Sequence, residues 1–403
     1  TLTQKKDCNV GSLIYAENGS NVNMSGGYVC GASTGTNGAG AGIKVTNVNG
    51  TASTLNLTGG VIAGNSAPSG GGVYANGSTV TMSGGIISGN STLANTPGYG
   101  GGIMAEGGSI TVSGGYITNN RYANFCGHDG DGCHGGAGLA ANNGAHVTIY
   151  GGQITGNYSE EAGGGVYVTN IFRQDRAWLD IKGGNIASNV SYRSEGAGIR
   201  VGQRVDALIN GPKDINGTKK SIVYITNNHC MSRFDWGGGG IFVQGDSKNA
   251  ANAGRLFVYN SYISSNTAGG YGGGVAVCPS GKTLVTNTKG AAIFGNTDAK
   301  DADCYNKNGY NKYDPKNNNG NDGSPHLSGG GDGKDQDFTA YENEVFRTHG
   351  HADFFLAAKD HVTPIAAVIG KMLGGVDGVD AKYSGSKELQ DAITIPANGG
   401  VQV

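Results

Sequence analysis

GGVIAGN at 59–65, GGIISGN at 84–90, GGYITNN at 114–120, GGQITGN at 151–157 and GGNIASN at 183–189 state one phrase five times. The phrase continues in degraded form as VYITNN at 223–228, SYISSN at 261–266 and AAIFGN at 291–296. After each closing Asn a variable loop leads to a second phrase: GGGVYA from Gly70, GGGIMA from Gly100, GGAGLAA from Gly135, GGGVYV from Gly163, GAGIRV from Gly196, GGGGIFV from Gly237 and GGGVAV from Gly272. A third short apolar run follows, such as STVTM, GSITV, AHVTIY, AWLDI or GRLFVY. The period is roughly 25 to 40 residues, the range of solenoid repeats.

Each run alternates apolar with small or polar residues, the period of a half-buried strand. Three such strands per repeat cannot bury their apolar faces alone. Stacked coil upon coil, about 4.8 Å apart, they close around a narrow core. The fold class predicted is therefore all-β, a right-handed parallel β-helix with three short strands per coil. The recurrent Asn predicts an inward amide ladder that satisfies backbone groups at the turn. A leucine-rich repeat needs Leu at fixed offsets and a propeller needs four strands per blade; neither pattern is present.

Composition agrees. Gly is 77 of 403 residues and Pro only 8, which excludes collagen, while 37% hydrophobic residues exclude a solvated disordered chain. A net charge of −2 offers no basic field for phosphates, so nucleic-acid binding is rejected. No apolar run approaches the 18 or so residues that span a bilayer, so no membrane span is expected. The chain begins at Thr1 and reads as a processed product or an excised segment. Residues 1–19 read as an N-terminal cap, 20–297 as the repeat domain, 298–337 as an Asn/Gly/Asp-rich loop or linker, and 338–403 as a C-terminal cap. In that cap, helical spacing around Tyr341 to Leu373 predicts one or two short helices, followed by a last strand at Ala392 to Ile395.

The GG and closing-Asn phrases, over roughly residues 20 to 300, resemble the GG[AIV] and xxxN repeats of polymorphic outer-membrane proteins and of large surface proteins of gut anaerobes. The resemblance implies a parallel β-helix, displayed on a surface or secreted, in adhesion or glycan contact. It brings no catalytic motif.

Seven cysteines leave at least one without an internal partner. Cys126 and Cys133 bracket a short loop that suits a local bridge. Cys8 with Cys30 would pin the N-terminal cap, and Cys278 with Cys304 the last coil, leaving Cys230 over. Reduced, partly buried thiols explain the same residues.

Function on a β-helix sits on loops that leave the same corner in successive coils and stack into a wall. The corner between each Asn and the following Gly-rich strand is the most varied. It carries the candidate ligand-binding residues Tyr99, Asp129, Glu160, Tyr192, Arg193, Arg233, Trp236 and Tyr271, and the acids Glu161, Glu195 and Asp235. An aromatic face covers the C–H side of a pyranose while acids and Arg bind its hydroxyls. Two carboxyl groups about 5 to 9.5 Å apart would also suit glycoside cleavage. Glu161 with Glu195, or Glu195 with Asp235, are the candidate catalytic pairs; acids on a long solenoid are as readily explained as solvated loop residues.

His128, Asp131 and His134 form a weak candidate metal set in a loop that a local bridge would explain equally. No cofactor is required. The tract DADCYNKNGYNKYDPKNNNGNDG is rich in calcium-type oxygen ligands but does not follow the EF-hand spacing, and reads equally as a linker. The long corner NIFRQDRAWLD projects Phe172, Arg173, Asp175, Arg176 and Trp178, either as a second groove wall or as a docking patch. Three functions fit: an extracellular adhesin that binds a carbohydrate or host surface glycan; a secreted glycoside hydrolase or lyase, shaped like the β-helix lacto-N-biosidases; and a structural subunit that self-associates end to end through its caps.

Overall fold

In the computed structural model, the described residues are 1–5, 11–124, 135–210, 221–232, 237–246, 249–259, 261–269, 272–277, 284–287 and 292–297, with the short strands 354–356, 365–368, 371–372 and 379–380. They form a right-handed parallel β-helix. Every pairing among the named strands is parallel except that of Lys371–Met372 with Val379–Asp380, and each strand pairs with its counterpart one coil away. Three sheets run the length of the stack. The Gly-rich phrase supplies one (Val73–Asn76, Ile103–Glu106, Leu139–Asn142, Val166–Val168, Ile199–Val201, Ile241–Val243). Two-residue strands after each Asn supply a short sheet, such as Arg121–Tyr122, Tyr158–Ser159, Val190–Ser191 and His229–Cys230.

The third, long sheet corrects the expected strand count. In the early coils, Asn21–Cys30 and Thr54–Ala63 are single strands that pair with register shifts at Ser25. Later coils break the same segment in two, as Thr79–Met82 and Ile86–Ser88 or Ser109–Val112 and Tyr116–Thr118. Coils from Val73 to Ala268 thus have four short strands, whereas the coil of Ile43–Thr46, Thr54–Ala63 and Ser66–Ala67 has the expected three. The second member of the Gly pair is left-handed in both kinds of coil, at φ 82° and 88° in Gly27 and Gly60 of the unbroken strands and at 82° and 83° in Gly85 and Gly115 between the split ones, a conformation that an L residue resists.

One continuous core fills the interior. Columns of side chains repeat through the register, as in Ile62, Ile87, Ile117, Ile154, Ile186, Ile225 and Ile263, all essentially inaccessible. The amide ladder forms as expected. Asn65, Asn90, Asn120, Asn157, Asn189, Asn228, Asn266 and Asn296 are buried, and each Nδ2 up to Asn266 donates to the next Oδ1 at 2.9–3.0 Å. The same Oδ1 accepts the backbone N–H of the preceding Asn, and each Nδ2 also donates to a carbonyl such as Ile62 O or Ile154 O at 2.9 Å. The turn is thereby satisfied without water.

Where short C-terminal helices are expected, the described residues are strands, the rest of that span lying outside the described residues. Within that span Phe354–Leu356 pairs with Val275–Val277, and Ile365–Val368 with Leu284–Asn287, each adding a parallel rung to a sheet. Their short apolar runs meet the open edge of the stack, and edge pairing there outweighs helical spacing. Ala392 to Ile395 lies outside the described residues. At the other end, Leu2–Thr3 pairs with Val29–Cys30 and Ile14–Ala16 with Ile43–Val45. The single helical turn among the described residues is Ala250–Asn252, and no helix there is long and apolar enough to cross a membrane.

Candidate functional site

The first residue after each Asn heads a strand of the short sheet and points outward. In register, Arg121 sits against Tyr158, Tyr158 against Val190, and Val190 against His229. The next residue turns inward: Tyr122, Ser159, Ser191 and Cys230 are buried. The one after faces out again, because the ladder continues through Glu160 N–H to Tyr122 O at 2.9 Å, Tyr192 N–H to Ser159 O at 2.9 Å and Met231 N–H to Ser191 O at 2.8 Å. Period-2 alternation thus brings two outward columns, one coil spacing apart in each direction, onto a single surface.

On that surface the rings of Tyr158 and Tyr192 lie 6.4 Å apart at 30°. The Arg121 guanidinium lies over Tyr158 at 5.6 Å and donates from Nη2 to Glu160 Oε1 at 2.7 Å. At the other end the Arg193 guanidinium lies over Tyr192 at 5.4 Å. Burial, then the Glu160 carboxylate, raises the Tyr158 phenol above its ordinary 10.0, so it stays a hydroxyl donor. Tyr192 is 40% exposed. The result is two sugar-sized ring faces with a guanidinium at each end and a carboxylate beside them. Of the predicted residues, Glu160, Tyr192 and Arg193 meet here.

Glu161 and Glu195 are elsewhere. Glu161 is fully buried, its N–H donating to Ser159 Oγ at 3.2 Å. Glu195, 6% exposed, accepts from Ser194 Oγ and from Arg200 Nε at 3.4 Å. Arg200 is itself buried, donating to Tyr167 Oη at 2.7 Å and Gln244 Oε1 at 2.6 Å, with Tyr167 and Phe242 against its guanidinium. Tyr99 is buried too, packed with Tyr74, Met104, Ala140 and Tyr167. Asp129, Arg233, Asp235, Trp236 and Tyr271 lie outside the described residues, as do the candidate ligands His128, Asp131 and His134 and the oxygen-rich tract after Asp301. Among the described residues, no three His, Cys, Asp or Glu come together in a metal-sized group.

Among the described residues Cys30 and Cys230 are free thiols, and the expected Cys8–Cys30 pair has its other member outside them. Cys8, Cys126, Cys133, Cys278 and Cys304 fall outside the described residues. Cys230, the residue left over in the pairing scheme, is fully buried; burial pushes its thiol up to about 12, which makes it an inert core group. In the NIFRQDRAWLD corner Phe172 is 63% and Trp178 49% exposed, while Arg173 chelates Asp175 at 2.7 and 2.9 Å. Arg176 is held by Asp206 Oδ1 at 2.8 Å and by the Val205, Ala251 and Ala253 carbonyls.

Sequence reasoning missed Arg121 and Tyr158 as site residues. The signal was there: both stand immediately after an Asn of the repeat, where neighbouring coils carry Ser66, Ser91 and Val190. It missed Arg200 because only the register shows that it underlies Glu195. No family model, curated protein or solved structure matches the chain.

Proposed function

We propose that the chain is an extracellular, surface-displayed β-helix that acts in adhesion by binding glycans at the Arg121, Tyr158, Glu160, Tyr192 and Arg193 patch. The observation that carries this reading is the Tyr158–Tyr192 ring pair, 6.4 Å apart on adjacent coils with a guanidinium against each ring. Rings that bridge coils at this spacing offer adjacent apolar platforms for consecutive sugar rings, and the charged groups beside them supply donors and acceptors for hydroxyls. The resemblance of the repeats to those of bacterial surface proteins supports the extracellular setting.

Binding without cleavage is favoured by the state of the acids among the described residues. Glu195 is engaged by Ser194 and Arg200 and removed from solvent, whereas a general acid or base must reach a substrate oxygen. Glu160, the acid on the patch, is held by Arg121.

A glycan array on the purified chain tests the proposal, with product analysis of every retained sugar. Specific retention that Tyr158→Ala and Tyr192→Ala each weaken at least tenfold, with no new reducing ends, is the expected result. Retention indifferent to both substitutions, or no retained glycan, refutes the patch; steady turnover refutes the adhesive reading.

A further inference from the structure

The long sheet presents a second surface, distinct from the tyrosine patch in sheet and in chemistry. Across five successive coils it is built from residues 21–30, 54–63, 79–88, 109–118 and 146–155. None of these residues is Asp, Glu, Lys or Arg, in a chain that is 14% charged; His146 is the sole titratable side chain of the ordinary charge-bearing types. The inward half belongs to the core. The outward half is solvent-facing and should be where a protein places its charges, which normally make up about 25–35% of a surface. At the sixth coil charges return at once, with Asp180 and Lys182.

The outward positions are arranged in columns. One column holds Tyr28, Ile86 and Tyr116, exposed by 56%, 37% and 53%. Parallel columns hold hydroxyl and amide side chains, such as Thr81 against Thr111, and Asn56, whose Nδ2 donates to Asn23 Oδ1 at 2.9 Å. Rows repeat at about 4.8 Å and neighbouring outward residues along a strand at about 6.6 Å. Large exposed apolar side chains without charge, laid out in regular columns and confined to part of the molecule, mark an interaction surface.

We propose that this face binds the flat surface of an uncharged, β-linked polysaccharide whose chains lie side by side. Charge selects the partner: Lys182 reaches the face only at its fifth coil, 5.0 Å from the Tyr150 ring. On the face the first four coils carry no Asp, Glu, Lys or Arg, so they offer little to a phosphate, sulfate or uronate polymer and pair poorly with a charged protein surface. Shape selects the aggregated form, because outward rows repeated across five coils present an extended face rather than a cleft that encloses a single oligosaccharide. Rings take the C–H faces of the sugars, and Thr and Asn side chains exchange hydrogen bonds with the hydroxyls at the chain edges. Each contact is weak, and the repeat of the solenoid multiplies it along the polymer.

The test is a depletion assay of the full chain on microcrystalline cellulose and on insoluble chitin, with polygalacturonate gel as the anionic comparison. The chain should be retained on at least one neutral solid and not on polygalacturonate, and soluble oligosaccharides should compete weakly. Thr81→Asp with Thr111→Asp, and separately Tyr116→Ala, should each cut retention at least tenfold. All three are outward positions, and unchanged circular dichroism and melting temperature would verify the fold. Tyr192→Ala should leave retention intact, so this proposal and the tyrosine patch fail separately. No retention on either neutral solid, retention insensitive to the face substitutions, or retention lost in Tyr192→Ala would each overturn it. So would concentration-dependent dimers in sedimentation that Thr111→Asp dissolves, since a second copy would then be the occupant.

Discussion

Asn189 is tied into the ladder from both sides, receiving the Asn157 N–H and Nδ2 and donating to Asn228 Oδ1 and the Ile154 carbonyl. Asn189→Ala would strip several buried groups of partners at once, at about 1–3 kcal/mol for each group left unpaired. Urea unfolding should therefore show a loss of at least about 3 kcal/mol. The residue before each Asn is left-handed: Gly64, Gly89, Gly156 and Gly295 where Gly is present, but also Asn119, Ser188, Asn227 and Ser265 at φ 55° to 57°. Serine resists that conformation by roughly 1 kcal/mol. Ser188→Gly should accordingly raise stability by up to about 1 kcal/mol, less the entropy glycine gains when unfolded, and a lower urea midpoint would contradict this. Asp180 adds a pH dependence. Burial raises its carboxyl above the ordinary 3.8, so the folded chain binds more protons than the unfolded one in the window just above that value. Its contribution to stability falls as pH rises through that window. Asp180→Asn should flatten this slope and stabilise the protein at neutral pH, as pH-resolved thermal melts would show.

At the level of elements, the loop 190–195 carries Tyr192 and Arg193 outward while its far end, Glu195, is anchored inward on Arg200. Arg200 belongs to the Gly-rich sheet, so two sheets are locked at the corner that presents the patch. Removing one partner of a buried ion pair costs about 3–5 kcal/mol, whereas replacing both with uncharged groups costs far less. Arg200→Met should therefore destabilise strongly, and Glu195→Gln with Arg200→Met should recover much of the loss. A double-mutant cycle in urea measures the coupling; additive losses would mean that the ion pair does not set the loop. The short strand element is also where the site was hardest to read. Alternation over two residues is too brief to show which side chain faces out, so Arg121 and Tyr158 were legible as loop residues without their column.

On the scale of the whole molecule, each strand of the stack pairs only with its counterparts in adjacent coils, the Arg176 side chain reaches two coils on, and the core and ladder are continuous through the stack. Stability in such an array is a sum of coil and interface terms, and a weak interface can decouple the halves. Asn189→Ala should consequently broaden or split the unfolding transition, with hydrogen exchange faster near residues 157–228 than near 62–120. A single sharp transition, uniformly shifted, would show that the solenoid unfolds as one unit instead. The surface features are distributed in the same way: the tyrosine patch lies on the short sheet, the uncharged face on the long one, and the Gly-rich sheet holds the buried Arg200 knot beneath.

The sequence by itself determined the parallel β-helix, its amide ladder and the corner where the loops stack, because these follow from periodicity, and a repeat writes its contacts into its own spacing. Tertiary structure alone decided what periodicity does not encode. The long strand runs unbroken through Asn21–Cys30 and Thr54–Ala63 but divides in later coils that repeat the same phrase. Phe354–Leu356 and Ile365–Val368 became rungs because an open sheet edge was within reach. Glu161, Glu195 and Tyr99 turned inward while Arg121 and Tyr158 joined Tyr192 outside, because side-chain direction in a loop depends on which neighbouring coil it meets, and loop lengths that vary from coil to coil conceal that register from the linear chain.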